Sequence, residues 1–98
     1  MRVLWTVGAR TDLLEMFDYV AGEDLDAAVR LRDRIRSTTN VLSDHPEIGR
    51  MVPELGNAAT CELIVRPYRV VYLVRENEVH VLGLVHSRML MPDLGRQD

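Results

Sequence analysis

The sequence contains no lysine. All twelve of its basic residues are arginine, set against fifteen acidic ones, for a net charge of −3 and a pI near 5.6. A mean field of that sign does not draw a protein to nucleic acid, so any contact with phosphates has to come from a local arginine cluster. There is one cysteine, Cys61. It excludes an internal disulfide, argues against a cysteine-rich metal site, and reads as a small core residue. No apolar run reaches the length of a membrane span, and the opening Met1-Arg2-Val3-Leu4-Trp5 lacks the apolar region and cleavage site of a signal peptide, which points to the cytoplasm. Phosphate-binding loop, dinucleotide fingerprint, HExxH pair, paired cysteines and nucleophile elbow are all missing. No cofactor and no metal is therefore expected, and an ordinary cofactor enzyme is not indicated.

What is present, in 98 residues that are 47% hydrophobic, is enough for one small domain spanning residues 1–98, with a core of modest size that a partner would help to complete. The densest signal is Glu62 to Arg88. Tyr68 to Val74 and Glu78 to Val85 are rich in β-branched and aromatic residues and read as strands, with Arg75 to Glu78 as a tight polar turn in which Asn77 takes positive φ at little cost. Cys61 to Val65 precedes them through Arg66 and Pro67 only, too short a link for a parallel crossover, so the three strands form an antiparallel meander. Strict alternation puts Tyr68, Val70, Tyr72 and Val74 on one face and Arg69, Val71, Leu73 and Arg75 on the other. On the last strand it sets His80, Leu82, Leu84 and His86 against Val79, Val81, Gly83 and Val85.

Ahead of the meander, Arg2 to Val7 alternates as an edge strand. Ala9 to Ala21 changes to a helical period through Leu13, Met16, Phe17 and Val20, with N-terminal signals at Thr11 and Asp12 and Gly22 placed to end it in the left-handed conformation. A second helix starts at Asp24 as N-cap and runs to about Leu42 on the stripe Ala28, Leu31, Ile35, Thr38 and Leu42. Its other face carries Arg30, Arg32, Arg34 and Arg36. That comb reads first as a solvated face paired with Asp26 and Asp33, and second as a binding surface. The fold class is α+β: an N-terminal strand and a helical hairpin packed on a small antiparallel sheet. Ser43 to Thr60 is the longest loop, and the tail after Val85 holds Met89, Leu90, Met91 and Leu94.

One set of polar residues suits chemistry if it converges. Glu54, Arg69 and His86 supply a carboxylate, a guanidinium and an imidazole, the groups that acid–base cleavage of a phosphodiester uses. From spacing alone the structural readings come first: Glu54 paired with Arg50 or Arg66, Arg69 lying along a sheet margin, and His86 hydrogen-bonded at a strand end. His45 and His80 read as structural.

The order of elements and several words of sequence resemble the RelE/ParE superfamily of type II toxin–antitoxin toxins. The words are Trp5-Thr6, Ala9-x-x-Asp12-Leu13, Asp26-Ala27-Ala28, His45-Pro46-x-x-Gly49-Arg50-x-Val52-Pro53-Glu54, Glu62-Leu63, Pro67-Tyr68-Arg69-Val70-Val71-Tyr72 and Val85-His86-x-Arg88. The resemblance implies one of two activities: RelE-like cleavage of mRNA on the ribosome, or ParE-like inhibition of DNA gyrase. In the nuclease case Glu54, Arg69 and His86 match the catalytic carboxylate, the phosphate-binding arginine and the general acid. The pattern departs from the nucleases where Ser87 follows His86, where no tyrosine follows Tyr72, and in the lack of lysine, which makes the resemblance ParE-like. Cys61 stands where arginine is common. The resemblance further implies a cognate antitoxin in a hetero-oligomer, with DNA contacted only through that antitoxin and no membrane contact. Arg30, Arg34 and Arg36 are the expected antitoxin-binding residues, and Arg88, Met89, Leu90 and Met91 the expected target-binding residues.

Overall fold

The computed structural model describes residues 1–89 and 91–92; the expectations placed on Leu90 and Leu94 lie outside these. The chain forms strand β1 (Arg2–Trp5), helices α1 (Val7–Ala21) and α2 (Leu25–Asn40), a 3-10 turn at Val41–Ser43, then strands β2 (Arg50–Met51), β3 (Thr60–Val65), β4 (Tyr68–Arg75) and β5 (Glu78–His86). One five-stranded sheet has the order β1-β5-β4-β3-β2. The meander of β3, β4 and β5 is antiparallel as expected, and the β4–β5 turn has positive φ at both Glu76 and Asn77, 54° and 63°. β1 is an edge strand as expected, but it runs parallel to β5. The helical hairpin and β2 to β4 all lie between them in the chain, a connection long enough for a parallel pairing.

Several local expectations are corrected. Val7 does not extend β1; it opens α1, because the Thr6 side chain accepts a hydrogen bond from the Ala9 N–H at 3.1 Å and so caps the helix five residues before Thr11. Gly22 ends α1 with φ −60°, in the right-handed region. α2 begins as expected with Asp24 accepting from the Ala27 N–H. Its buried stripe, however, runs through Thr39 instead of Thr38, with the Thr39 hydroxyl satisfied by the Ile35 carbonyl at 2.6 Å. The long loop contains a short strand, β2, that has no alternation to reveal it.

The hairpin covers one face of the sheet. Ala9, Leu13 and Met16 of α1 and Ile35 of α2 pack on Val65, Val70, Val81 and Leu84, with Trp5, Leu63 and Tyr68 at the margin. A fully buried aliphatic side chain such as Ile35 contributes about 1.5–3 kcal/mol. The opposite face carries a smaller cluster, Val52, Val71, Leu82 and Val85, covered by the loop after β2 and by Met91.

β5 does not alternate cleanly. Val71 pairs with Gly83 and Tyr72 with Val81, so Leu82 is an extra residue, a β-bulge. Before the bulge Val79 and Val81 face the helices; after it Leu84 does, and Val85 turns to the open face. The grouping of Leu84 and His86 with His80 and Leu82 is therefore wrong by one position.

Candidate functional site

The polar centre of the molecule lies on the open face of β3 and β4. Glu62 has no side-chain exposure and sits between two guanidiniums, accepting from Arg69 at 2.6 Å and from Arg50 at 2.7 Å. Arg69 in turn engages Glu54 in a two-pronged pair, both N–H···O distances being 2.7 Å. The pair pins the loop after β2 to the middle of the sheet. Arg69 is 8% exposed at its side chain and Glu54 44%, so the network is dry at its centre and open at its rim. The Arg69 hydrogen bonds hold the Glu54 carboxyl well below its usual value, at about 2, and Glu54 in turn pushes Arg69 upward.

The local sequence explains the arrangement. Ile64 pairs with Arg69 and Glu62 with Val71, so Glu62 and Arg69 project from the same face of adjacent strands, one step apart on the diagonal. The preceding His45-Pro46-x-x-Gly49-Arg50 segment is held from the other face by Tyr72, whose hydroxyl accepts from the Gly49 N–H at 3.0 Å and donates to the Pro46 carbonyl at 2.9 Å. A Cβ at Gly49 would stand 2.7 Å from the Glu62 carbonyl oxygen and 2.8 Å from the Tyr72 ring, so only glycine fits there. Arg50 is thereby delivered to Glu62.

The expected trio divides. Glu54 and Arg69 meet, whereas His86 does not join them. Its cross-strand partner is Tyr68, and Arg69 is opposite Val85, so the bulge places His86 on the helix face and Arg69 on the open face. There the imidazole packs edge-on against Tyr68 with centroids 5.3 Å apart, and its Nδ1 accepts from the Arg88 N–H at 3.2 Å. Of the three structural readings, His86 hydrogen-bonded at a strand end holds, and two are revised: Glu54 pairs with Arg69 instead of Arg50 or Arg66, and Arg69 is buried within the sheet instead of lying along its margin. A carboxylate with a pKa of about 2 is a weak proton acceptor at neutral pH, and Arg69 has to release Glu54 before it can hold a phosphate.

The arginine comb also divides. Arg30 and Arg34 are exposed one turn apart on α2, and Arg34 donates to the Arg66 carbonyl at 2.7 Å. Arg36, two positions on, points elsewhere and lines a groove with Arg10, Trp5 and Leu14. Among the described residues Arg32 is the member of the comb that makes an expected ion pair, with Asp33 at 3.2 Å, and it lies over the Phe17 ring. In the tail, Arg88 and Met89 are exposed, and Met91 packs on the open-face cluster. Among the described residues no group of three or more His, Cys, Asp or Glu is placed to hold a metal ion, and no helix is long and apolar enough to cross a membrane.

Sequence reasoning missed Glu62 as the hub of the network. The available signal was a carboxylate in an otherwise apolar strand, on the same face as the arginine of the next strand. It also missed Asp12, whose side chain accepts from the Leu84 N–H at 3.0 Å, just beyond the point where β1 stops pairing with β5. Burial pushes the Asp12 carboxyl upward, and the hydrogen bond from Leu84 partly opposes this.

Comparison with known proteins agrees with this architecture. The family model described as ParE toxin of the type II toxin–antitoxin system parDE matches residues 3–91. The chain is 33% identical over 90 residues to Toxin RelE2 of Caulobacter vibrioides, covering 91% of this chain and 98% of that one. It is 30% identical over 96 residues to the Sinorhizobium fredii protein Y4kP, covering 95% of each. A solved structure of the chromosomal ParDE toxin–antitoxin system from P. aeruginosa has the same fold, with a TM-score of 0.73 at 21% identity over 88% of this chain and 95% of that chain. With the hairpin-on-sheet fold, the family match over nearly its whole length and a full-length relative, the chain belongs to the ParE/RelE family of type II toxin–antitoxin toxins.

Proposed function

We propose that this toxin is ParE-like: it inhibits growth in the cytoplasm by binding DNA gyrase, without catalysis of its own, and a cognate antitoxin neutralises it. Residues 1–98 act as a single toxin domain. The observation that carries this reading is the separation of His86 from Glu54 and Arg69 by the thickness of the sheet, together with the engagement of Arg69 by two carboxylates. A trio so divided favours a binding surface over an acid–base site. The target contact is assigned to the tail, with Arg88 and Met89 at its exposed part and Met91 at its anchored part. The antitoxin contact is assigned to the exposed Arg30, Arg34 and Arg36, which suit acidic residues on an incoming segment.

The second reading is a RelE-like ribosome-dependent mRNA endonuclease using Glu54, Arg69 and His86. It is favoured by the relative named RelE2 and by the position of an arginine at the centre of the sheet. A gyrase supercoiling assay run beside a ribosome-programmed mRNA cleavage assay on one preparation separates the two. Inhibited supercoiling with intact mRNA is expected. Cleaved mRNA with unaffected gyrase, abolished by His86→Ala in a folded variant, would establish the nuclease.

A further inference from the structure

Between α1 and the end of β5 runs a groove of about 590 Å³; His86 and Met89 on its β5 side enter the readings above, but its α1 wall enters neither. Asp12 and Glu15 stand one helical turn apart on the α1 side, Tyr68 and His86 contribute their edge-to-face aromatic pair, and Tyr19 and Met89 also line the groove. The groove is more apolar than polar, yet among the described residues neither carboxylate forms an ion pair. Tyr19 is 76% exposed. Apolar walls for a hydrocarbon stem, aromatic faces for a delocalised cation and a carboxylate to pair with it are the requirements of an arginine side chain. The geometry points to this groove as the seat of an arginine presented by the antitoxin, an assignment whose source rests on the partner reading above.

The charge pattern around α1 supports that choice of partner. A second groove beside β1 is basic, through Arg10 and Arg36, and exposed Leu14 also lines it. A partner segment that reached both grooves would be complementary if acidic where it meets Arg10 and Arg36 and basic where it meets Glu15. Neither a purely acidic nor a purely apolar segment satisfies both sides.

The test uses the full chain, isotopically labelled for NMR, with N-acetylarginine methylamide as probe and the neutral, isosteric N-acetylcitrulline methylamide as control. The arginine probe is expected to shift the amides of Asp12, Glu15, Tyr19 and His86 in the millimolar range, with the citrulline probe about tenfold weaker and Glu15→Gln removing most of that difference. Glu15 is exposed and makes no hydrogen bond to the fold among the described residues, so this variant keeps its structure. Equal response to the two probes, or no response at these amides, overturns the proposal. With purified antitoxin, Glu15→Gln is expected to weaken the complex about tenfold. Unchanged affinity removes the arginine from this groove. An antitoxin that fails to bind even the unaltered chain refutes the partner reading instead.

Discussion

Replacing Glu62 by glutamine tests the network directly, because it preserves the side-chain shape and removes only the charge. Glu62 is fully buried, and its carboxylate satisfies Arg69 at 2.6 Å and Arg50 at 2.7 Å. A hydrogen bond to a charged group contributes about 1.5–3 kcal/mol when its partners are withdrawn from water. The Arg50 side chain is 64% exposed. Its share is screened to roughly 0–1 kcal/mol. Arg69 is 8% exposed and carries the larger part. Glutamine in its place brings an amide that accepts weakly and donates toward a cation with no acceptor of its own. The expected loss is about 3 kcal/mol, at the lower end of the cost of breaking a buried pair because Arg69 retains Glu54. For a domain of this size that corresponds to a fall in Tm of roughly 12–20 °C. Urea unfolding followed by circular dichroism, with an unchanged m value, reads the difference. A loss below about 1 kcal/mol would refute the account of Glu62 as the hub of a desolvated network.

Three further outcomes follow from the same geometry. Gly49→Ala forces its Cβ against the Glu62 carbonyl oxygen and the Tyr72 ring, and is expected to cost about 1–3 kcal/mol in chemical denaturation, although φ at this position is not positive. Ile35→Ala opens a cavity between α2 and the sheet and is expected to cost about 2–5 kcal/mol by the same measurement, with the spread set by how far α2 relaxes. The Glu54 carboxyl is lowered from 4.5 to about 2, so its pairing with Arg69 stabilises the fold fully above pH 4.5 and is lost as pH falls through about 2. Glu54→Gln is accordingly expected to flatten the fall in stability across that window, and an unchanged acid titration of unfolding would contradict the observed pairing.

Much of this architecture is legible in the sequence. The helical period of Leu13, Met16 and Val20, the cap at Asp24, and the β-branched runs on either side of Asn77 are local signals, and each appears in the structure as the element it indicates. Local signals fail where a competing contact lies far away in the chain. Thr6 caps α1 although Thr11 and Asp12 look more like a helix start, because the Thr6 hydroxyl also donates to the Leu82 carbonyl at 3.4 Å beyond the end of β1. β2 has two residues, too short for any period, and exists only because β3 offers an open edge.

Composition and residue order determined the types of the longer elements, the direction of the meander and the absence of recognisable cofactor motifs, since each depends on neighbours within a few residues. Tertiary structure alone decided which side chains meet. Period-two alternation assigns a face by counting, and one extra residue at Leu82 reverses the count for all of β5 that follows. His86 thus changes face and leaves Glu54 and Arg69 behind, while Glu62, undistinguished in the sequence, becomes the carboxylate at their centre. The reason is geometric: a bulge depends on the pairing of two strands, and the charge state of a buried group depends on what the fold places around it.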